Sequence, residues 1–316
     1  MNAGRNSHLA ALQQRSSDRE TISTGGMRLA ALRGGISERP EMSAGEFEVT
    51  GQVVDVWNRR IFPGVVAVDD GKIVEVRETA DAPPTHLLPG LVDAHVHIES
   101  SMLAPSEFAR AAVVHGTVAT VSDPHEIANV LGVPGVEFML QNAATVPFKF
   151  HFGAPSCVPA TAFETAGAAI DAPQVASLLA DARIGYLSEM MNYPGVLHGD
   201  EQVTVKIAAA REIGKPVDGH APGLRGEEAR SYFAAGITTD HECYSKDEAL
   251  DKLACGVKIL IREGSAARNF DALCSLIDEF PEMCMLCSDD KHPDELMVGH
   301  INELVRRGIE AGLDRF

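Results

Sequence analysis

The sequence is short of aromatic residues, positive charge, long apolar runs and patterned cysteines, and each shortage excludes something. Aromatics are 5% of 316 residues, against 45% hydrophobic and 23% charged. That is the composition of a soluble globular chain, which excludes disorder of the whole. Forty-five acids against twenty-seven bases leave a net charge of −18, so the average surface repels nucleic acid and anionic membrane. No stretch reaches the roughly 18 consecutive apolar residues that span a bilayer. The opening MNAGRNSHLAALQQRSS lacks the apolar segment of a secretory signal, so a cytoplasmic chain is expected. Cys157, Cys243, Cys255, Cys274, Cys284 and Cys287 are irregularly spaced in a chain too long to need a disulfide framework, and reduced thiols are expected. Cys284 and Cys287 form a lone CxxC whose members, on a strand, point to opposite faces; this argues against zinc or redox chemistry there. No candidate strand is followed by GxGxxG or GxxxxGKS/T, which removes support for a nucleotide-binding open sheet.

The length allows two ordinary domains or one large barrel. Residues 1–45, with scattered Arg, Ser, Gly and Glu, read as a mobile tail. Residues 46–86 hold short β-branched runs broken at Asn58-Arg59, Pro63-Gly64 and Asp69-Asp70-Gly71, the signals of a small antiparallel sheet, ended by the linker DAPPTH at 81–86. From 87 to 316 short apolar runs alternate with helical patterns. Candidate strands lie at 91–97, 117–123, 148–153, 184–190, 216–220, 237–242, 257–263 and 283–289. Helical patterns include 105–116, 203–214, 225–236 and 300–312, with Gly116, Gly214, Gly236 and Gly312 where a helix end favours positive φ. Eight strands in about two hundred residues fit an α/β fold of the (β/α)8 TIM-like barrel kind better than a doubly wound sheet.

The first barrel strand ends in Asp93-Ala94-His95-Val96-His97, and residues two apart share a side, so two imidazoles stand together at its C-terminal end. A His-x-His pair alone is also what surface or core histidines produce. Here, however, Glu189, His220, His241 and Asp289 stand at the ends of the fourth, fifth, sixth and eighth candidate strands. Imidazole and carboxylate suit zinc, manganese or iron, and this many ligands exceeds what one tetrahedral ion takes, which favours two metals sharing a carboxylate. Read singly, Glu189 is an ordinary rim carboxylate, Asp289 a helix cap, and His220 and His241 outer hydrogen-bond donors; together at matching strand ends they read as one site. His151, at mid-strand, reads as a satisfied core histidine.

The strings LLPGLVDAHVHIESSML (87–103), SDPHEIANV (122–130), SEMMN (188–192), DGHAPGL (218–224), TTDHECYS (238–245), REGSAARN (262–269) and CSDDKHPDEL (287–296) resemble the adenine deaminases of the amidohydrolase superfamily. The resemblance runs from about residue 47 to the end. It implies a binuclear centre at the barrel mouth, with His95, His97 and Asp289 on one metal, His220 and His241 on the other, and Glu189 bridging. Iron or manganese is the implied metal; the ligand types alone admit zinc. The implied reaction is hydrolytic deamination of adenine to hypoxanthine and ammonia, a step of purine salvage, with Asp289 as proton shuttle and the adjacent Asp290 facing substrate. The alternatives are another amidohydrolase acting on a cyclic amide or aminated heterocycle, and a non-catalytic metal-binding remnant.

The sequence departs from that pattern in two places. His220 is followed by Ala221-Pro222-Gly223 rather than by a glutamate that protonates the ring. Glu242, Glu99 and His125 are the substitutes weighed, with Glu242 disfavoured because consecutive strand residues point oppositely. Ser100, Arg262 and Ser265 are expected to line the pocket. Members of the resembled family also continue beyond the barrel, so the 46–86 sheet is expected to be a partial β-sandwich with an exposed apolar face, and the chain a truncated form of reduced stability. The superfamily often associates, but no interface stripe marks a homo-oligomer here.

Overall fold

A computed structural model describes residues 45–161 and 163–316; the tail expected at the N-terminus falls, apart from its last residue, outside the described residues. The chain divides into two compact units at Leu87/Leu88.

In the first unit β1 (Phe47–Asp55), β2 (Arg60–Asp69) and β3 (Lys72–Glu78) form an antiparallel meander, and β4 (His86–Leu87) pairs parallel with β1. Asn58-Arg59 and Asp69-Asp70-Gly71 make the turns, with Arg59 and Asp70 at φ 52° and 47°. Pro63-Gly64 is not the break its composition suggests. Both lie inside β2, opposite Gln52 and Gly51. The expected linker likewise contributes its last residue, His86, to β4. Val53, Phe62, Val65 and Ala67 are buried, while Ile73, Val74 and Val76 on the outermost strand are exposed. Among the described residues this unit is one sheet, without the second layer of a sandwich.

The second unit is an α/β TIM-like barrel. β5 (Leu91–Val96), β6 (Thr117–Ser122), β7 (Lys149–Ala154), β8 (Ile184–Met190) and β9 (Val217–Gly219) form one parallel sheet; β10 (Thr239–Asp240), β11 (Lys258–Arg262) and β12 (Cys284–Cys287) form another. Thr238 N–H donates to Val217 O at 3.0 Å across one seam. At the other, Asp289 N–H donates to His95 O at 2.9 Å and His97 N–H to Asp289 O at 3.3 Å, so the last strand returns to the first. A side chain at Gly219 would strike the Thr239 carbonyl, so glycine permits the close approach of β9 and β10.

Around the strands run α1 (Pro105–Val113), α2 (His125–Leu131), α3 (Val133–Ala143), α4 (Ala172–Ala180), α5 (Tyr193–His198), α6 (Glu201–Glu212), α7 (Gly226–Ala234), α8 (Lys246–Leu253), α9 (Phe270–Leu273), α10 (Leu276–Glu279), α11 (Pro293–Val298) and α12 (Ile301–Glu310). Gly116, Gly214, Gly236 and Gly312 all have positive φ just beyond helix ends. Phe108, Val136, Leu140, Val175, Leu179, Leu187 and Ile207 pack as one core, and Ile259, Ile261, Phe270, Leu273 and Leu304 as a smaller one. At roughly 25 cal/mol per Å² of apolar surface removed from water, these clusters are the main stabilising contribution. His151 is not a core histidine: Lys149 and His151 are exposed, and the buried part of β7 is Phe152, Gly153 and Ala154. No helix among the described residues is long and apolar enough to cross a membrane.

Candidate metal centre

His95 and Glu189 lie within strands, and His97, His220, His241 and Asp289 follow their strands by one or two residues. All six therefore stand at C-terminal strand ends, the face on which barrels carry function. His95 Nδ1 sits 2.8 Å from Asp218 Oδ2, and His97 Nδ1 lies 3.2 Å from the Asp123 carbonyl. Both acceptors lack protons, so both Nδ1–H groups are committed to them. The two Nε2 atoms then face one another at 3.1 Å, as ligands converging on a cation do. Asp289 Oδ1 lies 3.4 Å from His97 Nε2 and 3.9 Å from His95 Nε2.

A second convergence adjoins the first. Glu189 Oε2 is 2.6 Å from His220 Nδ1 and 3.2 Å from His241 Nε2, while Oε1 is 3.4 Å from His97 Nε2. One carboxylate thus presents one oxygen to each group, and its side chain is only 3% exposed. The donor sets His95–His97–Asp289 and Glu189–His220–His241 each have the compactness and chemistry to hold a divalent ion. Burial by itself would depress the imidazoles of His97 and His241, yet Asp289 and Glu189 beside His97, and Glu189 and Glu242 beside His241, hold both well above their ordinary value. The field that favours imidazolium equally favours a divalent cation in place of the protons.

Arg262 organises the neighbouring carboxylates. Its guanidinium donates to both oxygens of Glu242, at 2.6 and 2.8 Å, and to Asp289 Oδ2 at 2.5 Å. Burial would raise the Glu242 carboxyl, but His241, His220 and Arg262 outweigh it and hold the group at about 2. The strand-alternation argument against Glu242 fails because β10 stops at Asp240. In the irregular backbone beyond it, His241 and Glu242 both face the site, with Nε2 3.4 Å from Oε1.

Ser100 Oγ donates to Asp290 Oδ1 at 2.6 Å and lies 3.2 Å from Glu126 Oε1, placing both carboxylates at the mouth. His125 Nδ1 is 3.1 Å from Asp123 Oδ2 and 3.5 Å from Glu189 Oε1. Ser265 does not join them: its hydroxyl donates to Glu295 at 2.9 Å and accepts from His292 N–H, which fixes the loop instead. Sequence reasoning missed Asp218, Asp123 and Glu126. Asp218 was within reach, because it stands two residues before His220 and residues two apart share a side of a strand.

Glu99 is half-buried beside this mouth, with Oε1 accepting Ile127 N–H at 3.2 Å and Oε2 out of solvent contact and without a hydrogen-bond partner. Burial and the neighbouring Glu126 push its carboxyl from 4.5 up to about 7. The folded state then holds a proton that the unfolded chain has released. This group's contribution is therefore fully present below pH 4.5 and lost as pH rises to about 7, a swing of about 3 kcal/mol. Glu99→Gln is expected to raise the thermal midpoint of the metal-free chain at pH 8 and leave it nearly unchanged at pH 4. Equal shifts at both pH values would refute this.

An α/β barrel whose strand ends gather imidazoles and carboxylates around two points belongs to the class that holds divalent metal ions at its C-terminal rim. Within that class the chain belongs to the amidohydrolase family, which its residues 86–311 match. It is 59% identical to an adenine deaminase of Salinibacter ruber over 270 residues, covering 85% of this chain and 50% of that protein. It is 57% identical to an adenine deaminase of Methanosarcina acetivorans over 267 residues, covering 84% and 48%. The chain thus spans about half the length of these curated relatives. Among solved structures, N-acetyl-D-glucosamine-6-phosphate deacetylase of Mycobacterium smegmatis shares the fold at TM-score 0.59 and 15% identity, covering 85% of this chain and 84% of that one.

Proposed function

We propose that this chain carries the barrel of an adenine deaminase, which converts adenine and water to hypoxanthine and ammonia in purine salvage. The observation that carries the reading is Glu189, which offers one oxygen to each of two adjoining donor groups in a chain 59% identical to an adenine deaminase. His95, His97 and Asp289 would hold one divalent ion and His220 and His241 the other, with Glu189 shared; manganese or iron is the metal inferred. When bound, the ions supply Lewis acidity and lower the pKa of water from about 15.7 toward 7.

The chain's own residues do the remainder. Asp289 accepts the proton of the water that attacks C6 and delivers it to the departing amine. Arg262 donates to Oδ2 of Asp289 and leaves Oδ1 facing His97, so the carboxylate is held in one orientation beside the paired histidines. Glu242 gives both oxygens to Arg262 and so positions that guanidinium rather than protonating the purine. His125, held by Asp123 and partly open to solvent, together with Ser100 and Asp290, is assigned to the substrate side.

Manganese- or iron-loaded protein, kept reduced, is expected to release ammonia from adenine and not from cytosine, guanine or a cyclic imide. Ammonia from one of the others with none from adenine would replace adenine deamination by another hydrolysis on the same barrel.

A further inference from the structure

We propose that Asp93 is a positioning residue that locks His95, His97 and Asp289 into one unit, an inference resting on the reading above that these three share a metal ion. Asp93 is completely buried in β5 and stands two and four residues before the paired histidines, on their side of the strand. Its carboxylate reaches across the barrel seam. Oδ1 accepts Ser288 N–H at 2.9 Å, and Oδ2 accepts Ser288 Oγ–H at 2.5 Å and His300 Nε2–H at 2.8 Å. His300 Nδ1 in turn accepts the Thr117 hydroxyl at 2.8 Å, so one imidazole ties the start of α12 to β5 and β6.

What this clamp holds is the residue after Ser288. Asp289 sits at φ 52°, a left-handed conformation uncommon for a residue with a side chain. β5 grips it on both sides, through His95 O and His97 N–H. Backbone bonds in a parallel ladder are evenly spaced and so do not single out one residue. Capture of both the N–H and the hydroxyl of Ser288 by one carboxylate does so. The turn at Asp289 then sends Oδ1 to His97 and Oδ2 to Arg262. Asp93 bonds with Ser288 and His300, and its Oδ1 also accepts the His95 backbone N–H at 3.4 Å; it makes no hydrogen bond to the six candidate ligand side chains, so it acts through the backbone of β5 and the seam.

The test is manganese titration of the full chain and of Asp93→Asn and Ser288→Ala, with bound equivalents, the electron paramagnetic resonance signal and the metal-free thermal midpoint recorded. Both variants are expected to bind one of two equivalents about 10- to 100-fold more weakly, the usual effect of disturbing a ligand's support. The other equivalent should stay tight, and the spin-coupled pair should give way to isolated manganese. Ser288→Ala keeps the N–H bond and carries the test if Asp93→Asn does not fold. Retention of both equivalents at unchanged affinity, or loss of both in step with the midpoint, would overturn the proposal. An unsubstituted chain that binds fewer than two ions would instead overturn the two-metal reading beneath it.

Discussion

Replacing Glu189 with Gln is expected to remove about one of two bound metal equivalents and to slow ammonia release from adenine by about 10³-fold. The carboxylate lies within 2.6 Å of His220, 3.2 Å of His241 and 3.4 Å of His97. An amide keeps the shape but replaces one acceptor oxygen with a donor, and it removes the negative charge shared between the two groups. At about 4 Å and an effective dielectric near 20 one such charge interaction is worth about 4 kcal/mol, which is about three decades in affinity or rate. Glu189→Asp keeps the charge and should fall between the two. Metal analysis and single-substrate kinetics decide it. A Gln variant with both equivalents and a rate within tenfold of the original would leave Glu189 an ordinary rim carboxylate.

Much of this site was legible because ligands at strand ends follow a simple period. His95 and His97 are two apart, and the runs leading to Glu189, His220, His241 and Asp289 are short and apolar enough to read as strands. Legibility failed where side chains left regular backbone. Glu242 was disfavoured on strand alternation, yet β10 is only Thr239–Asp240 and the next residues turn freely. His151 obeys alternation but on the outer face, which period alone does not assign. Pro63 and Gly64 look like a break because the first lacks an N–H and the second a side chain. In β2 Gly64 sits where a side chain would strike the Arg77 carbonyl, so glycine serves packing rather than turning. Arg262 was expected only to line the pocket; its bridge between Glu242 and Asp289 joins residues on three different strands' ends, which no local pattern reveals.

Asp289→Asn is expected to lower kcat by about 10²- to 10⁴-fold, the range supplied by a positioned proton-transfer group, with KM for adenine changing only a few-fold. Burial would raise the Asp289 carboxyl, but the His97 hydrogen bond and the charges of His241 and His95 hold it far below its ordinary value. It therefore remains ionised throughout the neutral range. Its contribution would be lost only as pH falls through that depressed value, and the Asn variant, which has no ionisable carboxyl there, is not rescued by raising the pH. Asp290 provides the internal control. It is the next residue, but its Oδ1 accepts the Ser100 hydroxyl instead of facing His97. Asp290→Asn should raise KM more than it lowers kcat and leave metal content intact. The two adjacent acids thus make opposite kinetic predictions from one backbone feature, the left-handed turn at Asp289 that sends the two side chains to different partners. If Asp290→Asn abolished turnover while Asp289→Asn kept it, the proton shuttle would belong to Asp290 and the assignment of the pair would reverse.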